Sequence, residues 1–184
     1  IDDYSFVRSA GTWSPDSRYF AFTTYQQGKN QLVVVDAQSG DIDREINFAG
    51  LPAFSNPGWS PSGEEIVVSG MRHGQSDLYA YHFEKETFRR LTHDPRSALH
   101  PDWSPSGERI VYVRESSDSR QVAEADWRPY EIVIYDLRSN SQQVIGVYPG
   151  AHNLNPQFGP DGESVYFLSD AHGFRDLYEV TLGD

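Results

Sequence analysis

The residues of this sequence best suited to catalysis or metal binding are six histidines and 27 aspartates and glutamates. No two histidines stand four residues apart and no His-Glu-x-x-His segment is present, so the helical zinc-protease pattern is missing. The chain has no cysteine, which excludes thiolate metal sites, disulfides and cysteine nucleophiles. A zinc site would have to draw its ligands from distant segments, and we therefore expect neither a metal nor a cofactor.

Signatures of covalent catalysis and of phosphate binding are also missing from the sequence. There is no Gly-x-Ser-x-Gly segment and no Gly-rich phosphate loop. Carboxylates are numerous enough for a glycosidase-like pair, but no spacing nominates one. The acidic stretch 36–43 could suggest calcium, yet it lacks the EF-hand spacing and terminal Glu, which favours a strand-connecting turn. We expect no catalytic residues here, with hydrolase activity inside this chain as the weaker alternative.

The charge balance excludes two further classes of function. Fifteen basic against 27 acidic residues give a net charge of −12, and the only two lysines are Lys29 and Lys85. Nucleic-acid binding needs clustered Lys and Arg, and binding to an anionic membrane surface needs a polybasic segment. No apolar run approaches the length of a membrane-spanning helix, so we expect no membrane insertion.

Three polar residues recur at one place in the chain. Asn56, His100 and Asn155 each precede a proline and stand three residues before an aromatic residue. That aromatic residue opens a repeated turn, aromatic-Ser-Pro-Asp/Ser-Gly, with intervals of 46, 44 and 55 residues between copies. Pro fixes φ in the turn and Gly supplies a positive φ, so Ser17, which replaces the glycine in the first copy, should strain the turn or change its type. The four copies are Trp13–Ser17, Trp59–Gly63, Trp103–Gly107 and Phe158–Gly162, the last with Gly159 in place of the serine.

A fixed series of short strands follows each turn. Two apolar runs of β-branched and aromatic residues come first, and three of the units continue with a more polar third run. Repeats of about 45 residues with four strands each are typical of β-propeller blades. The sequence therefore predicts an all-β protein, a β-propeller of four antiparallel four-stranded blades with the last lacking its outer strand. A β-sandwich is the alternative, although its strands would need no such period.

These residues resemble the TolB-like, or WD-like, β-propeller repeat family. The resemblance rests on the turn, on the strand starts Asp77-Leu78-Tyr79 and Asp176-Leu177-Tyr178, and on the segment Arg89–Thr92. The same repeat is used by propellers attached to prolyl-oligopeptidase-type and some zinc peptidases. The resemblance implies a bacterial, periplasmic or otherwise exported scaffold that is not an enzyme and binds a protein or peptide. The alternative is the accessory propeller of a larger peptidase whose catalytic domain lies outside this chain.

Two places are candidates for that binding. In a propeller the first strand of each blade lines a central channel, so Asn56, His100 and Asn155 could meet near one mouth. The competing explanation is that they satisfy neighbouring backbone groups at strand starts. The second place is the long third interval, which carries Trp127 and Arg128, residue types common in interface hot spots. Its competing explanation is that Trp127 folds back on its own blade.

The domain organisation predicted is a single propeller, or a propeller fragment, spanning residues 1–184. Its blades would be approximately 8–50, 51–95, 96–149 and 150–184. Family propellers have six to eight blades, so closure of four is open: residues 4–7 could supply the missing outer strand of the last blade. Alternatively, two chains could form a homodimer that completes a larger propeller, or the chain could be part of a larger ring.

Overall fold

The computed structural model describes residues 6–7, 10–26, 29–116 and 129–183, and every regular element in them is a β-strand. The strands form four antiparallel sheets, each a blade of the kind the repeat predicts. The predicted β-propeller class is therefore confirmed. Among the described residues there is no helix of a length and hydropathy suited to crossing a membrane.

The chain divides into two compact units, Ile1–Pro95 and Arg96–Asp184, each with two sheets. In the first unit, the first sheet contains β1 Phe6–Val7, β2 Thr12–Trp13, β3 Tyr19–Gln26, β4 Lys29–Asp36 and β5 Ile42–Ile46. The second sheet contains β6 Ala53–Trp59, β7 Glu65–Arg72, β8 Gln75–His82 and β9 Thr87–Arg90. Strand order follows chain order in the second sheet, and β1 and β2 both pair with β3 in the first.

The second unit has one complete sheet and one shorter one. The third sheet contains β10 Ala98–Trp103, β11 Arg109–Glu115, β12 Tyr130–Asp136 and β13 Ser141–Ile145. The fourth contains β14 Leu154–Phe158, β15 Ser164–Ser169 and β16 Asp176–Thr181. Within the described residues it has three strands, as predicted for the last repeat. That residues 1–184 make one domain with the predicted blade limits stays a prediction.

Each unit has its own apolar core, formed by the second and third strands of its sheets. In the first unit Leu32, Ile66 and Val68 are completely buried, and in the second unit Val111, Ile132 and Val165 are. The outermost strands are polar and exposed, with four of the five residues of β5 and of β13 on the surface. Burial on both faces explains why the middle strands read as continuous apolar runs rather than as alternating ones.

The proposed closing strand is placed differently by the structure. Phe6 and Val7 pair with Tyr25 and Thr24 of β3, so they belong to the first sheet and not to the fourth. Ala53 and the residue after it hold the corresponding positions at the start of β6. The prediction that residues 4–7 complete the last blade is therefore wrong. Residues 1–5 lie outside the described part of the chain.

The repeated turn keeps one geometry in all four copies. The N–H of Ser17 donates to the carbonyl oxygen of Ser14 at 2.9 Å, and the glycine of each other copy makes the same bond at 2.9–3.0 Å. Ser17 has φ of +58°, in the range that Gly63 adopts at +77°. The turn type is therefore unchanged, and the expectation that Ser17 is strained fits its left-handed backbone.

Replacing Ser17 with glycine should stabilise the protein. A residue with a Cβ costs roughly 1–2 kcal/mol in the left-handed region. Glycine avoids this cost, but about half of the gain is lost because glycine has more conformational freedom in the unfolded chain. We expect Ser17→Gly to raise the free energy of unfolding by about 0.5–1 kcal/mol, measured by urea denaturation. An unchanged or lower value would show that the serine is not strained there.

Candidate functional site

The three recurring polar residues occupy the same bulge in three different sheets. The pairing of the first strand with the second shifts register between Ser55 and Gly58, between Leu99 and Asp102, and between Leu154 and Gln157. Each shift contains the polar residue and the proline that follows it. The sequence prediction that these positions are equivalent therefore agrees with the strand registers, and a bulge leaves its extra residue outside the backbone ladder.

Backbone geometry accounts for the residue types at these bulges. Asn56, His100 and Asn155 have φ of +53°, +53° and +49°, in the left-handed region. Asn and His tolerate that region better than most residues with a Cβ. Their recurrence is thus explained in part by conformation, which the sequence analysis did not anticipate. The bulge also presents a polar side chain whose backbone is fixed.

In the second unit the structure brings two of the predicted residues together. The N–H of Asn155 donates to Nδ1 of His100 at 3.4 Å. Burial of His100 lowers the pKa of its imidazole, so the ring is neutral near pH 7. A neutral imidazole that accepts at Nδ1 carries its proton on Nε2, and Nε2 is then a donor. His100 is half-buried and Asn155 is exposed.

Asn56 belongs to the first unit and has a local partner. The hydroxyl of Ser55 donates to Oδ1 of Asn56 at 3.0 Å. Asn56 is half-buried. The bond to Ser55 orients its side-chain amide, and the bulge fixes its backbone. Trp127 and Arg128, the other two predicted contact residues, lie outside the described residues.

A carboxylate that sequence analysis missed lies on the same strand as His100. Oδ2 of Asp102 accepts the N–H of Phe158 at 2.9 Å, which joins the first strands of the third and fourth sheets. Burial raises the pKa of Asp102 to about 6, against the lowering effect of the Phe158 and Trp103 N–H groups. The signal in the sequence was an acidic residue directly before the repeated aromatic, where the other copies have Thr, Gly and Gln.

The first unit has a neutral version of the same bond. The N–H of Trp59 donates to the hydroxyl of Thr12 at 3.3 Å, joining the first strands of its two sheets. Thr12 and Asp102 hold equivalent positions, each one residue before the repeated aromatic. A side-chain acceptor at this place is therefore part of how neighbouring first strands are held together. Asp102 differs in that its acceptor is ionisable.

The described residues do not assemble a metal cluster. No group of three or more His, Asp or Glu side chains among them is placed to hold a metal ion. A pocket of about 300 Å³ in the first unit is lined by Tyr19, Trp59 and Phe83 together with Asp16 and Arg44. Three aromatic rings stand among polar and charged residues in its walls, and the Arg44 guanidinium lies 5.7 Å from the Phe83 ring centroid. Such a pocket suits binding of a side chain better than covalent chemistry.

Comparison with known proteins identifies the family. Residues 5–129, more than half of the chain, match the model of the TolB beta propeller domain. The chain belongs to this family. The Tol-Pal system protein TolB of Francisella tularensis subsp. mediasiatica strain FSC147 is 27% identical over 164 residues, which cover 87% of this chain and 34% of that protein. The chain thus spans about a third of the length of the curated relatives it matches.

Solved structures agree on the fold. The crystal structure of TolB from Acinetobacter baumannii superposes with a TM-score of 0.74 at 17% identity, covering 94% of this chain and 40% of that one. A prolyl endopeptidase superposes with a TM-score of 0.62 at 15% identity, covering 94% of this chain and 26% of that one. Similarity at this level of identity shows a shared propeller architecture, which unrelated functions reuse.

Proposed function

We propose that this chain is a non-catalytic binding propeller of the TolB type, periplasmic or otherwise exported, which docks a protein or peptide partner. The observation that carries the proposal is the repeated first-strand bulge with Asn56, His100 or Asn155 at its centre. Membership of the TolB family and similarity to a component of the Tol-Pal system support it. The segment carrying Trp127 and Arg128 is a second proposed contact, and the peptidase-accessory role stays an alternative prediction.

The chemistry of the bulges suits a peptide backbone. An Asn side chain both donates and accepts, as a peptide bond does, and the Nε2–H of neutral His100 donates to a carbonyl oxygen. Because the bulges fix the backbone of these residues, little conformational entropy is lost when they contact a partner. In the second unit, the bond between Asn155 and His100 adds to this preorganisation.

The charge of the chain indicates which partners it would favour. A net charge of −12 attracts basic segments and raises their association rate at low ionic strength. The bound segment should therefore be rich in Lys and Arg, and its association rate should fall as salt is added. This distinguishes a peptide docked on the acidic propeller from one held by apolar contacts alone.

Glycine substitutions test the bulges without changing their backbone. Glycine adopts the left-handed region without strain, so His100→Gly, Asn155→Gly and Asn56→Gly remove only the side chain. The probe is a 12-residue peptide selected from a random display library against the wild-type chain. We expect the His100→Gly/Asn155→Gly double variant to raise its Kd about tenfold or more by titration calorimetry, and Asn56→Gly is measured separately.

The matched control is Glu86→Gly. Glu86 also has a positive φ, +51°, but lies exposed in the turn between β8 and β9. It should leave the Kd of the selected peptide unchanged. If the bulge variants bind as tightly as the wild type, or if Glu86→Gly weakens binding equally, the bulges are not the docking site.

A further inference from the structure

We propose that the pocket of about 300 Å³ in the first unit binds the side chain of an arginine of the partner. The pocket lies between the first and second sheets, at the end where their first strands enter the repeated turn. Tyr19, Trp59 and Phe83 contribute aromatic rings to its walls, and Asp16 and Asp43 contribute carboxylates. The inference rests on the proposed binding of a protein or peptide, but it does not depend on the bulges.

The second unit shows which side chain fits the equivalent groove. Arg109 extends from the third sheet to the fourth, where its guanidinium lies 5.4 Å from the Phe158 ring centroid and donates to the carbonyl oxygen of Gly162 at 2.7 Å. Phe158 and Gly162 are the repeated aromatic residue and the repeated glycine of their sheet. Trp59 and Gly63 hold the same two places in the second sheet and line the pocket. The second unit therefore fills this groove with an arginine of its own.

The first unit keeps the groove but has a different residue at the position of Arg109. Tyr19 stands there, since each is six residues after the repeated aromatic and each pairs with the aspartate that ends the third strand. The two sheets approach each other alike in both units. A Cβ placed at Gly63 would lie 3.9 Å from the repeated proline of the preceding sheet, and one at Gly162 would lie 3.6 Å from it.

An incoming guanidinium needs acceptors other than the glycine carbonyl. In the first unit, the Nε1–H of Trp59 already donates to the carbonyl oxygen of Gly63 at 3.0 Å. Two carboxylates line the pocket instead, Asp16 in the turn of the first sheet and Asp43 in its outer strand. Hydrogen bonds from a guanidinium to a carboxylate are stronger than the bond to a carbonyl oxygen that Arg109 makes.

A bulge in the outer strand of the first sheet places Asp43. Arg44 pairs with Val34, and Ile42 pairs with the next residue of β4, so Asp43 is the extra residue between them. The outer strands β9 and β13, both described throughout, pair with their third strands without a shift. Because a bulge re-aims a side chain, this carboxylate is a feature of the first sheet and not of the repeat.

Asp16 is ionised at neutral pH. The hydroxyl of Ser14 and the N–H of Arg18 donate to its carboxylate, and these bonds lower the pKa of Asp16. The third sheet has Ser106 at the same place in its turn. The groove with an internal arginine therefore has a serine here, and the groove without one has a negative charge.

Arg44 also lines the pocket, and it leaves the negative charge in excess. Nε of Arg44 donates to Oδ2 of Asp43 at 3.2 Å. The described lining thus has two carboxylates against one guanidinium, a net charge of −1. A carboxylate can serve two guanidinium groups, as Oε1 of Glu131 does for Arg96 and Arg114 in the second unit. An incoming arginine that shares Asp43 with Arg44 brings the pocket to neutrality.

The shape of the pocket favours arginine over lysine. A guanidinium is planar, so it stacks on an aromatic ring while its edge donates to a carboxylate. A lysine ammonium is a point charge without that flat surface. The Trp59 ring and the two carboxylates together match the first of these side chains.

The probe is the capped tripeptide acetyl-Gly-Arg-Gly-amide, added to the whole chain. The reporter is the indole N–H signal of Trp59 in the ¹H–¹⁵N spectrum, assigned by its loss in Trp59→Phe. We expect a saturable shift with a Kd on the order of 1 mM, since one side chain makes few contacts. The lysine tripeptide should bind about threefold more weakly. The citrulline tripeptide, which keeps the shape of arginine without its charge, should bind about tenfold more weakly.

Two variants each remove one carboxylate from the pocket. Asp16→Ser introduces the residue that the second and third sheets have in the same turn, and Asp43→Asn keeps the size of the side chain. Each should raise the Kd of the arginine tripeptide about threefold to tenfold, because a charge-assisted bond is lost. Asp41→Asn is the matched control. Asp41 is exposed and is not part of the pocket lining, so its substitution should leave the Kd unchanged.

The tripeptide and the library-selected peptide separate this pocket from the bulges. The His100→Gly/Asn155→Gly variant should bind the tripeptide as the wild type does. A silent Trp59 signal with normal binding of the selected peptide overturns the pocket and leaves the proposed function standing. The inference is also overturned if the citrulline tripeptide binds as tightly as the arginine tripeptide, or if Asp41→Asn weakens binding as much as Asp43→Asn.

Discussion

Asp102→Asn should raise the free energy of unfolding at pH 8 by up to about 3 kcal/mol more than it does at pH 3. The pKa of Asp102 is about 6 in the folded chain, against an ordinary value of 3.8. The folded state therefore binds more protons than the unfolded state between these values, and stability falls as pH rises through that window. Each pKa unit corresponds to about 1.4 kcal/mol, so the asparagine variant, which does not ionise, avoids a loss of this size.

The substitution keeps the hydrogen bond that the carboxylate makes. The amide oxygen of asparagine accepts the N–H of Phe158 as Oδ2 of Asp102 does at 2.9 Å. The comparison of two pH values removes any effect that is independent of ionisation. Urea denaturation of both proteins from pH 3 to pH 8 gives the difference directly. Equal pH profiles for the two proteins would contradict the raised pKa of Asp102.

Asp161 provides a control of opposite sign. The N–H groups of Glu163 and Ser164 lower the pKa of Asp161, because they stabilise its ionised form in the turn. Its contribution to stability is present above the ordinary pKa and is lost as pH falls through the lowered value. Asp161→Asn should therefore destabilise the chain at neutral pH, and the difference from the wild type should shrink in acid.

Gly70→Ala should destabilise the first unit by about 3 kcal/mol, because its site has no room for a methyl group. A Cβ at Gly70 would lie 2.5 Å from Cδ2 and 2.8 Å from Cδ1 of Leu51, and 2.8 Å from Cδ2 of Tyr79. Leu51 and Tyr79 are both buried and belong to one apolar cluster. The conflict is therefore between packed side chains that have little space to move.

The fourth sheet suggests the compensating change. Ser169, which pairs with Asp176, corresponds to Gly70, which pairs with Asp77. Ala151 corresponds to Leu51, because each donates its N–H to the carbonyl oxygen three residues earlier, in the turn that precedes the first strand of its sheet. A larger residue in the strand thus accompanies a smaller one in the linker. Leu51→Ala alone should cost about 3 kcal/mol by leaving a cavity, but the double variant should lose at least about 1 kcal/mol less than the two single losses together. Strict additivity in thermal or urea unfolding would contradict this packing.

The repeat predicted most of the fold because it states both the turn and the strands. The turn needs Pro followed by a residue with positive φ, and the buried middle strands need unbroken apolar runs, so the sequence predicts both. The pairing of Phe6–Val7 with β3 of the first sheet was not predicted. One more residue separates Phe6 from Trp13 than separates Ala53 from Trp59, which hides their equivalence.

The sequence predicted the positions of the candidate residues, but not their backbone conformation or the raised pKa of the nearby Asp102. Equal spacing from the aromatic residue identified Asn56, His100 and Asn155, whereas the left-handed backbone that favours Asn and His follows from the bulge. The raised pKa of Asp102 depends on burial by neighbouring strands, which periodicity does not reveal.

The measurement that tests the central proposal most directly is the amide ¹H–¹⁵N spectrum of the whole chain, recorded with and without the library-selected peptide. If the first-strand bulges bind the partner, shift changes will fall at His100 and Asn155 in the second unit or at Asn56 in the first, and at the residues that follow their prolines. They will be small in the outer strands β5, β9 and β13. Shift changes confined to those outer strands, with the bulge signals unmoved at saturation, would contradict the proposal.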